Sequence, residues 1–410
     1  MAIRLHLVPG REPADLLQLP WSVPLRRWPA ELMVRMAHGA SRHVVRFVRQ
    51  GEAVHAFKEM AASEAEHEYR MLRELSAEGL PVVAAVGLVT GRVDEEGREI
   101  DAVLMTRYLD YSLPYHYLFG VEAGQNLAHR LVDAAVVLMA RLHLEGFYWG
   151  DCSLSNLLFR RDAGALMAYL VDAETAERHT LLGDEMREHD MAVAVENLVG
   201  GLLDLQAAGK LGPEIDAYEL GGMLGDRYGR LWVELTGVVE LDVADQHLIE
   251  SRLRRLTDLG FDIGELLVEQ TDEARLRVRP ALLEEGHHAR ELRRLTGLEI
   301  QENQARRLLN DIATYGAYLS STEAGDVPMG MAAARWLVDV YGPVVAAVPD
   351  ELSNRLEHAE LFHEFLEHRY HLAESQGEEV DNAAALRSYV DDVLRFRPAE
   401  RLVISDTDSG

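Results

Sequence analysis

Five polar residues of the 410-residue chain form an ordered set whose types fit one chemistry. Lys58 lies in a β-rich run, AVHAFKEM, and Glu68 in the helical stretch that follows. Asp151 and Asn156 stand in a short loop, WGDCSLSN, after a long apolar helical pattern. Asp172 ends the second strand of a small hairpin, MAYLVD. Phosphoryl transfer needs groups of these kinds. A lysine holds nucleotide phosphates and a carboxylate on the next helix orients it. An aspartate accepts the incoming hydroxyl proton, and an Asn with a second Asp binds Mg²⁺. Composition adds weight to the lysine. Of 41 Lys and Arg residues only Lys58 and Lys210 are lysines, and a compact ammonium is not equivalent to a planar guanidinium. Taken singly, each residue has a plainer reading: Asp151 and Asn156 bracing a turn, Lys58 and Glu68 forming a surface pair.

The elements needed to position this set are legible in outline. MVRMAHGASRHVVRFV carries two β-rich runs joined at Gly39–Ser41, and AVHAFKEM follows as a third strand. From Ser63 to Glu78 the period changes: Ala65, Tyr69, Leu72 and Leu75 share a helical face, with Ser63 and Glu66 as a capping box and Gly79 and Pro81 as the stop. VVAAVGLVTGRV and AVLMTRYL flank the polar turn Asp94–Glu99 as a hairpin. A helix is predicted over Asn126–Gly146, then strands LLFR and MAYLVD around Asp162–Gly164, then a helix over Asp184–Ala208. Beyond Gly209–Pro213 the Arg/Glu patterning predicts helices, including Asp242–Leu259 and Thr271–Leu295, interrupted at Pro280. SDTDSG reads as a disordered tail.

The order and spacing of the set match the protein-kinase signature, and from about Leu32 to Lys210 the chain resembles the protein-kinase-like fold. The resemblance places Lys58 on the phosphate-binding strand and Glu68 on the helix that pairs with it. It places Thr106 near the gatekeeper position, with Arg107 and Leu109 offering backbone groups to adenine. RLHLEGFYWGDCSLSNLLF is similar to the catalytic loop, with Asp151 as base and Asn156 as metal ligand; YLVDAETA supplies Asp172 as the second ligand. Asp190 corresponds to the aspartate that braces the catalytic loop. There are departures. WGD replaces HRD, DAE replaces DFG, and 17 residues separate Asp172 from Asp190 with no A-P-E segment. The glycine-rich loop is reduced to HGASRH with Gly39 alone. These traits are more similar to the lipopolysaccharide kinases of the Kdo/WaaP type than to regulated protein kinases. The arrangement resembles an actinobacterial group in which such a half precedes a domain of unknown function.

Composition bounds the rest. The net charge of −28 repels nucleic-acid phosphates and anionic lipid, which disfavours a nucleic-acid-binding role. The single Cys152 excludes a disulfide framework. The N-terminal residues lack a signal-peptide pattern, no apolar run reaches membrane-spanning length, and a cytoplasmic location is expected. His358, His363 and His368 miss the i, i+4 spacing of a metalloprotease helix. The expected fold is α+β: an N-terminal extension (1–30), a two-lobed kinase-like domain (31–210, lobes about 31–106 and 107–210), an all-α helical domain (211–400) and a tail (401–410). The expected function is an ATP- and Mg²⁺-dependent phosphotransferase acting on a small-molecule or sugar-containing acceptor, with Asp151 facing open space beside Asp172. The alternative is a pseudokinase or nucleotide-binding regulator whose helical half binds a protein partner.

Overall fold

The computed structural model of the chain describes residues 3–8, 14–36, 41–51, 53–119, 124–237, 239–242, 251, 254–256, 263–270, 275–282, 286–323, 325–378, 380–397 and 399–400. Gly39 and the 401–410 tail lie outside them. The described residues divide into two compact units, one holding those of 1–160 and 167–232, the other those of 161–166 and 233–401.

The first unit opens with a six-stranded sheet. Its strands are β1 (Arg4–Leu7), β2 (Met33–Val34), β3 (Val44–Gln50), β4 (Ala53–Met60), β5 (Ala85–Thr90) and β6 (Ala102–Arg107), in the order β1-β5-β6-β4-β3-β2. One face is sealed by Leu16, Trp21, Leu25 and Trp28, which pack on Phe57, Val103 and Met105. Alternation along β4 therefore sends Phe57 into that core and Lys58 to the opposite face. Helix α1 (Ala62–Ala77) crosses between β4 and β5. Its start differs from the expected one. β4 runs to Met60, so the chain enters the helix through Ala61, which makes no side-chain cap bond, and Ser63 falls inside the first turn.

The remainder of the first unit is mostly helical. It comprises β7 (Ser112–Pro114), the short α2 (Tyr115–Leu118), α3 (Gln125–Leu144), β8 (Phe147–Tyr148), β9 (Leu157–Asp162), β10 (Ala165–Leu170), β11 (Glu177–Arg178), α4 (Asp184–Ala207) and α5 (Ala217–Thr236). β10, β9 and β7 form one small sheet, and β11 with β8 another. α3 is apolar around most of its circumference, with Leu131, Leu138, Met139 and Leu142 buried, which makes it the central helix of this region.

The second unit is helical, as expected, apart from one sheet. β12 (Val239–Asp242), β13 (Ile263–Gln270) and β14 (Arg275–Leu282) form three antiparallel strands in the order β12-β14-β13. The helix expected over Thr271–Leu295 is thus a strand followed by the shorter α6 (His287–Thr296). Within RLRVRPAL, Leu276 and Val278 alternate with Arg275, Arg277 and Arg279, a period of two. The high Arg content masks it. Asp242 ends β12, and of the helix expected over Asp242–Leu259 only residues 251 and 254–256 are described as helical. The core is built by α7 (Glu302–Thr322), α8 (Met329–Trp336), α9 (Gly342–Ala346), α10 (His358–Gln376) and α11 (Asn382–Asp392) around Trp336, Phe362, Phe365 and Tyr389. No helix among the described residues is long and apolar enough to cross a membrane.

The tip of the β9–β10 hairpin, residues 161–166, clusters with this second unit. Its two turn residues both adopt positive φ, Ala163 at 54° and Gly164 at 79°. That conformation disfavours alanine, and Glu360 supplies a compensating bond pair: its carboxylate accepts the N–H groups of Ala163 and Gly164 at 2.7 and 2.8 Å. Asp162, fully buried, accepts the N–H groups of Asn303 and Gln304 and so caps the start of α7. Glu360→Ala should destabilise the protein by about 1–3 kcal/mol for each N–H left unpaired. Glu360→Gln, which keeps one acceptor, should cost less. Urea unfolding checks this, and an unchanged midpoint for Glu360→Ala would remove the carboxylate from any structural role.

Candidate active site

Lys58 and Glu68 meet because β4 and α1 are consecutive and pack on the same sheet. The Lys58 ammonium donates to Glu68 Oε2 at 2.9 Å and to Asp172 Oδ2 at 2.6 Å, with a Glu174 oxygen 3.8 Å away. Glu68 is fully buried on the inner face of α1 beside Ala65 and Leu72, and its Oε1 has no hydrogen-bond partner among the described residues. Burial first, then the neighbouring Asp172 charge, push its carboxyl up to about 7 against the pull of Lys58. Burial opposes the lysine's charge, yet Glu68 and Asp172 together hold its pKa above the ordinary value.

The loop after α3 is fixed by Asp190 of α4. Its carboxylate accepts the N–H groups of Trp149 at 2.7 Å and Gly150 at 2.8 Å, while His143 of α3 lies 3.1 Å away. Gly150 sits at φ 79°, where an added Cβ would lie 2.9 Å from the Tyr148 ring. Hence a glycine occupies the middle position of WGD. Trp149 ties the loop to the next segment: its indole donates to the Asp172 carbonyl at 3.0 Å, and Thr175 Oγ1 donates back to the Trp149 carbonyl at 2.7 Å. The turn after β10 carries Asp172 into the site, its Oδ1 accepting the Glu174 N–H.

These supports direct Asp151, Asn156 and Asp172 into one cavity of about 290 Å³, which Lys58, Arg107 and Leu109 also line. Glu68 and Asp190 stand behind it as supports. Val45, Ala56, Val83 and Leu158 give part of the cavity apolar walls, a surface suited to a flat aromatic base. Arg107 commits its N–H to the Ala84 carbonyl and Leu109 commits its carbonyl to the Ser112 hydroxyl. The Arg107 carbonyl and the Leu109 N–H take no part in those two bonds.

Asp151 lies in the cavity with Asp172, but it does not face open space alone. Its carboxylate accepts from the side-chain amides of Asn156 at 3.2 Å and Asn197 at 3.1 Å. Asn197 was not singled out by the sequence. Its signal was its position on α4 seven residues after Asp190, two turns along the same face. Glu174 is the third residue of DAE, where DFG has glycine. Here it accepts from Arg42 at 2.5 Å and lies 3.0 Å from His43. Burial acts to raise its carboxyl, but the bonds from Arg42 and His43 and the charge of Lys58 prevail and hold it below the ordinary value.

The donor chemistry fits a hard divalent cation. Asn156 spends its amide N–H groups on Asp151, leaving its carbonyl oxygen for a metal, and Asp172 contributes a carboxylate. Glu68, Asp172 and Glu174 also bring oxygens within 4.8 Å of one another, yet the cation among them is already Lys58. In the second unit, His363 pairs with Glu367 and His368 with Ser388, so these histidines are engaged separately.

The two-lobed arrangement and this charged cleft define a kinase-like protein. Residues 24–197 match the model of the Lipopolysaccharide kinase (Kdo/WaaP) family, and residues 230–394 match that of a domain of unknown function, DUF4032. The chain thus joins a region similar to the Kdo/WaaP kinases to a region similar to DUF4032. No curated protein matches the sequence. Among solved structures, WaaP in complex with acyl carrier protein is similar at 15% identity and TM-score 0.36, covering 63% of this chain and 99% of that one. An aminoglycoside-3'-phosphotransferase of type VIII is similar at 17% identity and TM-score 0.33, covering 49% and 86%.

Proposed function

We propose that the protein is an ATP- and Mg²⁺-dependent phosphotransferase acting on a hydroxyl of a small-molecule or sugar-containing acceptor in the cytoplasm. One observation carries this reading. Lys58 bonds both Glu68 and Asp172 while Asp151 and Asn156 open into the same cavity. Lys58, oriented by Glu68, holds nucleotide phosphates. The Arg107 carbonyl and Leu109 N–H take the adenine edge. Asn156 and Asp172 hold Mg²⁺, which when bound neutralises charge on the phosphates. Asp151, positioned by Asn156, Asn197 and the Asp190-braced loop, accepts the acceptor's hydroxyl proton. Catalysis is then mainly positioning and charge compensation, in keeping with a loose transition state.

Calorimetry of ATP with and without Mg²⁺ tests the nucleotide site, followed by a phosphate-transfer screen across sugars, amino alcohols and other small hydroxyl compounds. Asp172→Ala should abolish the Mg²⁺-dependent part of ATP binding, on the order of tenfold or more for a lost metal carboxylate. Unchanged affinity and unchanged turnover in that variant would refute the metal assignment. Metal-dependent binding with no transfer to any acceptor or to water would favour a nucleotide-binding regulator whose helical half engages a protein.

A further inference from the structure

The segment ahead of β3 brings two basic side chains to the mouth of the cavity, and both end on the same carboxylate. Arg42 Nη2 lies 2.5 Å from Glu174 Oε1, and His43 Nε2 lies 3.0 Å from Glu174 Oε2. Arg42 Nε lies 3.1 Å from His43 Nε2, so the two side chains sit side by side over the same carboxylate. Lys58 approaches the same carboxylate at 3.8 Å. Arg42 and His43, from the segment ahead of β3, thus bond one carboxylate, Glu174, with Lys58 of β4 near it but bonded to Glu68 and Asp172, and with the Glu64 carboxylate within 4.8 Å of the His43 and Glu174 atoms. The Glu174 side chain is only 9% exposed, whereas Arg42 is 69% exposed and reaches inward to meet it. Arg42, Lys58 and Glu174 all line the cavity that holds Asp151, Asn156 and Asp172.

Such a convergence is an anion site with its anion built in. A polyphosphate carries more charge and more acceptor oxygens than one carboxylate, and guanidinium groups bond phosphate in the same forked geometry they use for carboxylate. A glutamate left beside bound phosphates, with its basic partners withdrawn to them, would add repulsion. Resting on the nucleotide-binding reading above, we propose that Arg42 and His43 are phosphate-binding residues of the nucleotide site and that Glu174 is the internal counter-anion which the phosphates displace. Side-chain charge then supplies the phosphate contacts that a multi-glycine loop would supply through its backbone. The nucleotide-free site keeps its basic groups in place at the cost of a competitor for the incoming phosphates.

The proposal fixes the sign of an effect that other roles for Glu174 would reverse. Titration calorimetry with adenosine, ADP and ATP is performed on the full chain, in EDTA and again with Mg²⁺. In EDTA, Glu174→Gln removes the competitor and should tighten ATP binding roughly three- to tenfold, the net scale of one ordinary hydrogen bond. ADP should gain less, and adenosine should bind as it does to wild type. Arg42→Ala and His43→Ala should each weaken ATP more than adenosine. In the Arg42→Ala background the gain from Glu174→Gln should shrink, because the two side chains act on each other. With Mg²⁺ the sign should persist at smaller size, since the metal lowers the charge of the incoming phosphates. Unchanged or weaker ATP binding by Glu174→Gln in EDTA overturns the proposal. Weakening confined to the Mg²⁺ series, with no gain in EDTA, makes Glu174 a metal ligand instead. If wild type binds none of the three compounds, the nucleotide-site reading falls and this proposal with it.

Discussion

Asp151→Asn is expected to lower kcat by about 10²–10⁴-fold while leaving KM for ATP nearly constant, the range and pattern of a lost general base used at the transition state. The structure refines what the substitution removes. Asp151 accepts from two amides, Asn156 at 3.2 Å and Asn197 at 3.1 Å. An asparagine offers one oxygen and one NH₂ in place of two oxygens, so one of those donors would then face another donor. Part of the loss would therefore come through Asn156, a proposed metal ligand. Asn197→Ala separates the two contributions, because it removes one amide from Asp151 Oδ1 while keeping the carboxylate and its bond to Asn156. A kcat within about tenfold of wild type is expected for that variant. If Asp151→Asn lowers the melting temperature but leaves kcat within a few-fold of wild type, the carboxylate is only a brace for the loop.

Most of the kinase-like half was legible in the sequence because its residues are held by local rules. Lys58 falls on an alternating strand, Glu68 on the next helix, and Asp172 at the end of a hairpin whose two-residue turn is marked by Gly164. The contacts that were not legible join residues far apart in the chain. Glu174 meets Arg42 across 132 positions and Asn197 meets Asp151 across 46, and neither separation leaves a periodic trace. Asn197 was still within reach, since two helical turns from Asp190 place it on the same side of α4. The second unit misled for a different reason. In RLRVRPAL the β period is written with arginine as its polar partner, and arginine is a good helix former. Composition then argued for a helix where alternation argued for a strand. The Glu360 grip on the β9–β10 turn could not be anticipated either, because a buried glutamate inside a helix looks like any exposed one until its partners are known.

Lys58→Met should damage activity through both kcat and KM, and its effect should spread from chemistry to pH-dependent stability. The ammonium is the cation shared by Glu68, Asp172 and the more distant Glu174. Removing one preorganised charged donor from such a site typically costs about 10²–10³-fold in kcat, and lost phosphate contacts should raise KM for ATP as well. Lys58→Arg should not restore activity. The ammonium is held 2.9 Å from Glu68 and 2.6 Å from Asp172, a gap sized for a compact point charge. The stability consequence follows from Glu68, whose carboxyl already sits at about 7. Without Lys58 it loses its favourable partner and must rise further. A carboxyl whose folded pKa lies above its unfolded one contributes stability that is fully present below the unfolded value and is lost as pH rises through the folded one. Relative to wild type, Lys58→Met should therefore melt at a similar temperature near about pH 5 and at a progressively lower one toward about pH 8. Adding Glu68→Gln should flatten that difference, because the titrating group is gone. A deficit equal at both pH values would mean that Glu68 does not titrate against Lys58. Wild-type turnover in Lys58→Arg would remove the lysine from the phosphate site.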